Sequence, residues 1–527
     1  MYVAPTGRKM ASMVPQLVLL IAAAALFILG ASKSAFSRQA SPAVALMALA
    51  IAFGVSWVGD PVAGGVDATG SLLLDNLSVY VTRSAVGVSM LFVLLAWPTS
   101  ADGSSNRSIS FGTETGEYFA LLLLAVAGVC VTGAANSLGT LFLGFELASI
   151  PTYIMVTMSR PQAQAQEAGV KYFFLGAASS AVLLLGVAWL FGSTGEVRFD
   201  RIIASLQTMG RHVESGGVSI PTTVTLAVVL MVLGLSFKLA AVPLHFYAGD
   251  VYQGAATPVT AAISFIPKIT ALVAILKVLY VAGGGDWAFD PKVLKLLWIM
   301  AVLTMTAGNV LALWQINVKR VLAYSSVAHS GYILVGVAAV ASLSHNATLR
   351  GDALASVAFY VLTYGLMNAA AFGVLQLLPA RTNQPALTAE TYDDLGGAGL
   401  AHPGLGLAMT VACLGLIGIP ATVGFFGKLY ILRPAIQSGQ SELIWLAVIT
   451  MLNAAVSAAY YLKIVITMWS PSDLEAPLTP VPAEKSLPIR AAVTIAVVAV
   501  LLLGIVLPLD AQLFEQSAMA GATLIGK

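Results

Sequence analysis

Glu146, Lys238, Lys268 and Lys428 each stand well inside a stretch of apolar residues. One acid and three amines in such surroundings have one obvious chemistry, the acceptance, holding and release of a proton. On the insertion scale a charged side chain at the centre of a membrane helix costs roughly 2.5–3.5 kcal/mol, so four together cost on the order of 10 kcal/mol. That is comparable with the whole stability of a typical domain. It persists only where pairing, water or function compensates. Burial disfavours an ammonium and a nearby carboxylate favours it, so a lysine held between the two influences can exchange its proton near neutral pH. Movement of Glu146 towards or away from Lys238 would then load or release a proton. One charge crossing 100 mV costs about 2.3 kcal/mol, within reach of such a shift. His329, in mid-span beside Ser325 and Ser326, reads equally as a further relay group or as a satisfied core histidine.

Prolines accompany these charges. Pro151 follows Glu146 by five residues, Pro243 follows Lys238 by five, and Pro267 directly precedes Lys268. Proline lacks an N–H, and its ring pushes on the carbonyl four residues back. The carbonyls of Leu147, Leu239 and Ile263 are therefore expected to be free. Pro420 precedes Lys428 by eight residues. Broken helices at membrane depth need protein or water to satisfy the backbone, so the pattern predicts a hydrated path along the midplane. Leu235-Ser236-Phe237-Lys238 with Pro243, and Gly424-Phe425-Phe426-Gly427-Lys428 with Pro434, form a weak repeat about 190 residues apart. Interrupted helices in corresponding positions point to an inverted-repeat transporter.

These residues need spanning helices to hold them. Windows of about 20 apolar residues fall near 13–32, 42–59, 72–97, 117–135, 137–158, 168–192, 222–252, 256–282, 292–314, 320–341, 352–378, 403–432, 442–469 and 489–508. That predicts an all-α polytopic membrane protein of about 14 helices. The run Met13–Gly30 behind Arg8 and Lys9 reads as a retained helix rather than a signal peptide. Lys and Arg are nearly balanced between the two sides, so the positive-inside rule sets no orientation. Residues 99–116 read as a loop, 196–214 and 379–401 as interfacial segments, and the proline-rich 471–488 as an extended connector. Lys277 and Lys463, near span ends, read as snorkelling residues. Lys171 with Glu167 reads as an i,i+4 ion pair.

The chain has 527 residues, 58% hydrophobic and 9% charged, with a net charge of +2. Soluble domains carry about 25% charged residues, so lipid is the solvent that fits, and nothing points to nucleic acid. Cys130 and Cys413 form no CxxC pair, and the five histidines form no HExxH motif, which argues against zinc, iron–sulfur or haem ligation.

Longer motifs carry a resemblance. Phe237-Lys238-Leu239-Ala240-Ala241-Val242-Pro243-Leu244-His245, Asp250-Val251-Tyr252-Gln253-Gly254-Ala255 and Thr257-Pro258-Val259-Thr260-Ala261 form one group. Asn317-Val318-Lys319-Arg320 running on to Gly331-Tyr332, and Gly418-Ile419-Pro420 with Gly424–Lys428, form another. Over about residues 117–470 the chain resembles the antiporter-like membrane subunits of bacterial NADH–quinone oxidoreductase (complex I). Glu167-Ala168-Gly169-Val170-Lys171-Tyr172-Phe173 and Lys428 are most similar to the subunit N branch.

The resemblance implies fourteen helices with two inverted five-helix repeats containing broken helices. It implies N-terminal helices and a loop over 1–116, a first antiporter-like half over 117–282, a second over 292–470, and a connector, last helix and tail over 471–527. Lys238 and Lys428 would be the interrupted-helix lysines, Glu146 the acid paired with Lys238, and Lys268 the bridge between half-channels. His329 would lie on the path to Lys428. No cofactor is expected in this chain; NADH, FMN, iron–sulfur clusters and quinone would belong to partner subunits. The expected surroundings are other membrane-arm subunits and the lipid of a bacterial inner membrane, with both termini on the outer side. Tyr247 and Gly249 stand where the family usually has tryptophan and proline, and Ala256 and Ala421 where proline is common. Two other readings remain: a subunit of a multi-subunit cation/proton antiporter, and a scaffold whose buried charges only pin helices together.

Overall fold

Apolar runs bounded by serine, asparagine, glycine and proline make helices here, and the computed structural model is all-α apart from one two-residue strand pair. It describes residues 13–58, 65–66, 70–98, 114–160, 162–210, 221–283, 291–343, 346–378, 389–471, 486–506 and 512–519. The expected loop at 99–113 and connector at 472–485 lie outside these residues. The chain begins with α1 Val14–Ala31 and α2 Ala35–Val55, then pairs β1 Gly65–Val66 with β2 Leu73–Leu74. There follow α3 Asn76–Leu95, α4 Thr115–Ala134, α5 Leu138–Met158, α6 Ala163–Thr194, α7 Phe199–Gly210, α8 Thr222–Leu239, α9 Ala248–Gly254 and α10 Thr257–Ala282. The second half holds α11 Pro291–Leu313, α12 Val318–Ser342, α13 Ala347–Leu377, α14 Tyr392–Leu395, α15 Ala398–Ala401, α16 Pro403–Ile417, α17 Val423–Gln437 and α18 Ser441–Trp469. The last helix is α19 Leu487–Ile505. Side chains of Asp75, Ser137, Asn317 and Asn346 accept the free N–H groups where α3, α5, α12 and α13 begin.

Among the described residues thirteen helices are long and apolar enough to cross a membrane. A fourteenth span comes from α16 and the short helices before it, which meet at 120°. The two halves repeat one order of packing. In the first, α4 packs on α5 and α6 on α8; in the second, α11 packs on α12 and α13 on α16 and α17. Two helices are buried along their whole apolar windows, α10 from the first half and α12 from the second. They carry Lys268 and His329, so two of the five candidate residues sit on the best-covered elements of the fold. A Cβ on Gly331 would lie 2.4 Å from the backbone nitrogen of Met305, so only glycine lets α12 approach α11 this closely.

The apolar windows at 222–252 and 403–432 are not single helices. The first is interrupted between α8 and α9, the second between α16 and α17. Left-handed backbone ends the leading half-helix in each case, at Ala240 (φ 57°) and Gly418 (φ 84°). Ala421 also has positive φ, 75°. Proline is locked near −65°, so the alanine found there permits a conformation that the family's common proline does not. Pro151 and Pro267, by contrast, stay inside continuous helices. Proline alone therefore does not mark the breaks.

Candidate functional site

Lys238 occupies the last turn of α8. Beyond it the chain turns at Ala240, whose N–H and that of Ala241 satisfy the carbonyls of Phe237 and Ser236. The Tyr247 hydroxyl, returning from the break, donates to the Phe237 carbonyl at 2.7 Å. The Lys238 ammonium is buried and has no hydrogen-bond acceptor among the described residues. It lies instead over aromatic faces, 3.8 Å from the ring centre of Tyr153 and 4.9 Å from that of Tyr172. Tyr172 stacks on Tyr247 at 5.3 Å, which closes the box from the side of the break.

Glu146 and Lys238 form no ion pair within 4.0 Å. The Glu146 carboxylate accepts from the Ser180 hydroxyl at 2.5 Å. Glu146 and Tyr153 are seven residues apart on α5, two turns along one face. The aromatic ring, not the carboxylate, touches the ammonium.

Lys268 bridges the halves. Its ammonium donates to the carbonyl of Leu239 at 3.4 Å, to the carbonyl of Ser326 and to the hydroxyl of Ser330. Leu239 closes α8, while both serines belong to α12. The Leu239 carbonyl is the one that Pro243 is expected to leave free, and it is filled by a lysine from another helix. Tyr252 of α9 hydrogen-bonds the Ser326 hydroxyl at 2.9 Å, and the Tyr364 ring lies 5.4 Å from the ammonium.

His329 is buried between tyrosines. Its Nδ1 is 2.7 Å from the Tyr360 hydroxyl and its Nε2 is 3.1 Å from the Tyr461 hydroxyl. Tyr461 also meets the Ser325 hydroxyl. Both ring nitrogens thus have a hydroxyl partner that can either give or take a proton.

Lys428 donates to the carbonyls of Leu416 and Ile417, at 3.0 and 2.7 Å. Those carbonyls end α16. Lys428 itself stands on α17, past the break, whereas Lys238 stands before its break. The two lysines of the short repeat thus stand on opposite sides of their breaks. Lys428 and Lys268 each place an ammonium on the carbonyl end of a half-helix. Helix carbonyl ends carry partial negative charge and favour cations, and hydrogen bonds to a charged group contribute about 1.5–3 kcal/mol each. Lys238 has only its aromatic contacts, about 2 kcal/mol when desolvated. Of these three ammoniums, only that of Lys238 has no hydrogen-bond acceptor among the described residues.

A family model described as NADH:quinone oxidoreductase/Mrp antiporter, transmembrane, matches residues 135–454, which include all five of these residues. The NADH-quinone oxidoreductase subunit N of Trichlorobacter lovleyi is 40% identical over 404 residues, covering 76% of this chain and 75% of that protein. The chain belongs to the NADH-quinone oxidoreductase subunit N family. A chain of respiratory complex I from Thermus thermophilus with bound aureothin superposes with a TM-score of 0.72 at 28% identity, covering 94% of this chain and 98% of that one. A chain of the Mrp complex from Dietzia sp. superposes at 0.75 with 22% identity, covering 99% and 98%, which shows a shared fold.

Two buried lysines escape a reading of the sequence of this family member. Lys277 does not snorkel: it is buried and donates to the Ala135 carbonyl at 2.6 Å, where α4 ends. Lys319 is buried too, on the Ala255 carbonyl at 2.6 Å just past α9 and 3.3 Å from Glu390. Thus, of the five buried lysines among the described residues, four sit on the carbonyls that end helices and Lys238 does not. The i,i+4 pair of Glu167 and Lys171 is present at 2.7 Å, and Lys171 continues to Asp250 at 2.8 Å, which also holds Arg320 at 2.8 Å. Beside this network Arg160 pairs with Glu390 at 2.7 Å. Burial raises the proton affinity of Glu390, but the Lys319 and Arg160 charges outweigh it and hold the carboxyl below its ordinary value. Lys463 is exposed beside the ring of Tyr392, at 4.3 Å.

Proposed function

We propose that this chain is a membrane-arm subunit of a bacterial NADH–quinone oxidoreductase and moves protons across the inner membrane through Glu146, Lys238, Lys268, His329 and Lys428. Redox chemistry takes place in partner subunits, which hold NADH, FMN, iron–sulfur clusters and quinone. This chain contributes the proton path and sits among other membrane-arm subunits in lipid.

The observation that carries this reading is the lone ammonium of Lys238. A buried charge with only ring faces around it is stabilised by about 2 kcal/mol, similar to the roughly 2.3 kcal/mol of moving one charge through 100 mV. Lys238 can therefore be loaded and emptied by modest shifts in its surroundings, such as a change in the distance of Glu146. The proton leaves Lys238 towards Lys268 across the end of α8. From there α12 leads on: His329 takes a proton on one ring nitrogen as the other gives one to a tyrosine hydroxyl oxygen, which releases its own hydroxyl proton onward in the same step. Lys428 receives it at the second break. The Lys268 and Lys428 ammoniums, unlike that of Lys238, donate to carbonyl oxygens at helix ends.

The cation/proton antiporter reading has less support, since the likeness to the Mrp chain reaches the fold alone while the 40% identity is to a subunit N. The scaffold reading predicts that Lys238→Ala weakens assembly. The relay reading predicts that Lys238→Ala gives an intact complex that no longer pumps and reduces quinone slowly. Purification that identifies the co-migrating subunits, followed by reconstitution in vesicles, measures both.

A further inference from the structure

Ser330 is fully buried on α12, next to His329, and its hydroxyl faces three partners at once. It accepts from the Lys268 ammonium, and it is within reach of two carbonyls, that of Leu239 across the helix interface and that of Ser326 on its own helix at 3.0 Å. A hydroxyl has one proton to donate. The Ser326 carbonyl already receives an N–H from Lys268, whereas the Leu239 carbonyl has the same lysine only at 3.4 Å. The hydroxyl proton therefore matters most to Leu239, the residue after Lys238 and the last of α8.

From this arrangement we infer that Ser330 is a positioning residue that reports the protonation of Lys268 to the end of the half-helix carrying Lys238. With Lys268 as an ammonium, its N–H points at the Ser330 oxygen and the Ser330 O–H points at the Leu239 carbonyl. When Lys268 gives up one proton, its nitrogen gains a lone pair and becomes an acceptor. The Ser330 O–H then turns to that nitrogen. No proton leaves Ser330; only its direction changes. The Leu239 carbonyl loses its hydroxyl donor and keeps only the long contact from Lys268, so the negative end of α8, whose last turn carries Lys238, is less covered. That uncovered charge favours a proton on Lys238. Emptying Lys268 thus prepares Lys238 to be refilled, and the two lysines alternate across a joint made of one residue from each half.

This inference rests on the proton-relay reading, and its test separates the two. Ser330→Ala, Ser330→Cys and Ser330→Thr are made in the whole complex, reconstituted in vesicles. Quinone reduction and proton uptake are measured per assembled complex. Alanine removes the hydroxyl, and cysteine keeps the size but is a weak donor. Each is expected to lower coupled turnover roughly two- to tenfold, as the loss of one hydrogen bond implies. Threonine keeps the hydroxyl and is expected to restore turnover to near the wild-type rate. Wild-type turnover in either Ser330→Ala or Ser330→Cys overturns the inference. So does a Ser330→Thr complex that assembles but is as slow as alanine. If Ser330→Thr does not assemble, the alanine and cysteine variants decide. Lys238→Ala is run alongside. Pumping at the wild-type level in that variant removes the relay reading itself. Loss of pumping in Lys238→Ala together with full activity in Ser330→Ala removes only the role given to Ser330.

Discussion

The ammonium of Lys238 lies 3.8 Å above the ring of Tyr153, on the same helix face that carries Glu146 two turns earlier. The ring rather than the hydroxyl makes this contact. Tyr153→Phe should therefore leave proton transfer close to wild type. Tyr153→Leu removes the nearest π face and up to about 2 kcal/mol of support for the charge, at most a roughly 30-fold change in the occupancy of Lys238. Initial rates of proton uptake in vesicles at several pH values compare the two variants. Equal defects in both would point to the hydroxyl or to packing.

The imidazole of His329 needs a hydroxyl on each side if it passes a proton without becoming a trapped cation. Tyr360→Phe and Tyr461→Phe each remove one of those hydroxyls and leave the ring volume. Each should lower coupled turnover by about tenfold, and the double variant should be little worse than either one, since a chain is cut once. Steady-state quinone reduction with and without an uncoupler measures this. Additive losses would place the tyrosines outside a common path.

The positions of the charges were open to sequence reasoning because apolar composition makes a lysine conspicuous. The carbonyl of Leu239 was expected to be free because of Pro243; it is free because α8 ends there at Ala240, and the structure fills it with Lys268. The breaks themselves were less visible. One ends at Ala240 and the other includes Ala421, and alanine is a strong helix former that gives no stop signal. The aromatic box joins residues 153, 172 and 247 from three segments, and only folding brings them together. Lys277 and Lys319 look like span-end residues in a linear reading. Their burial depends on helix ends elsewhere in the chain, at Ala135 and Ala255.

Acid should loosen the contact between the segment around Glu390 and the base of α12. The carboxyl of Glu390 is held below its ordinary value in the folded chain, so its ion pairs contribute fully above the unfolded value. That contribution is lost as pH falls through the lower, folded value. The hydrogen-exchange protection of residues 389–395 in the detergent-solubilised complex, taken relative to the intrinsic rate at each pH, should therefore fall as pH drops through the acid range. Glu390→Gln should be less protected at neutral pH and show little change with acid. A segment whose protection is indifferent to pH in the wild type would contradict the ion-pair role.

Gly424 lets α17 start against the end of α16. A Cβ there would lie 1.9 Å from the Gly415 carbonyl oxygen. Gly424→Ala should push the half-helices apart and cost about 1–3 kcal/mol. Because Lys428 reaches Leu416 and Ile417 across that joint, the variant should also weaken the hold on its ammonium. Thermal inactivation of the purified complex, compared with Gly404→Ala where a Cβ meets nothing within 4 Å, measures the difference.

The central proposition is that Lys238 exchanges its proton, not merely that it supplies a charge. Lys238→Arg tests this most directly, because a guanidinium keeps the charge and does not deprotonate in proteins. In an assembled complex reconstituted in vesicles, the arginine variant should transfer few or no protons and should be no better than Lys238→Ala. Proton transfer at the wild-type rate in Lys238→Arg would mean that a fixed positive charge is enough at this position, and the account would be wrong.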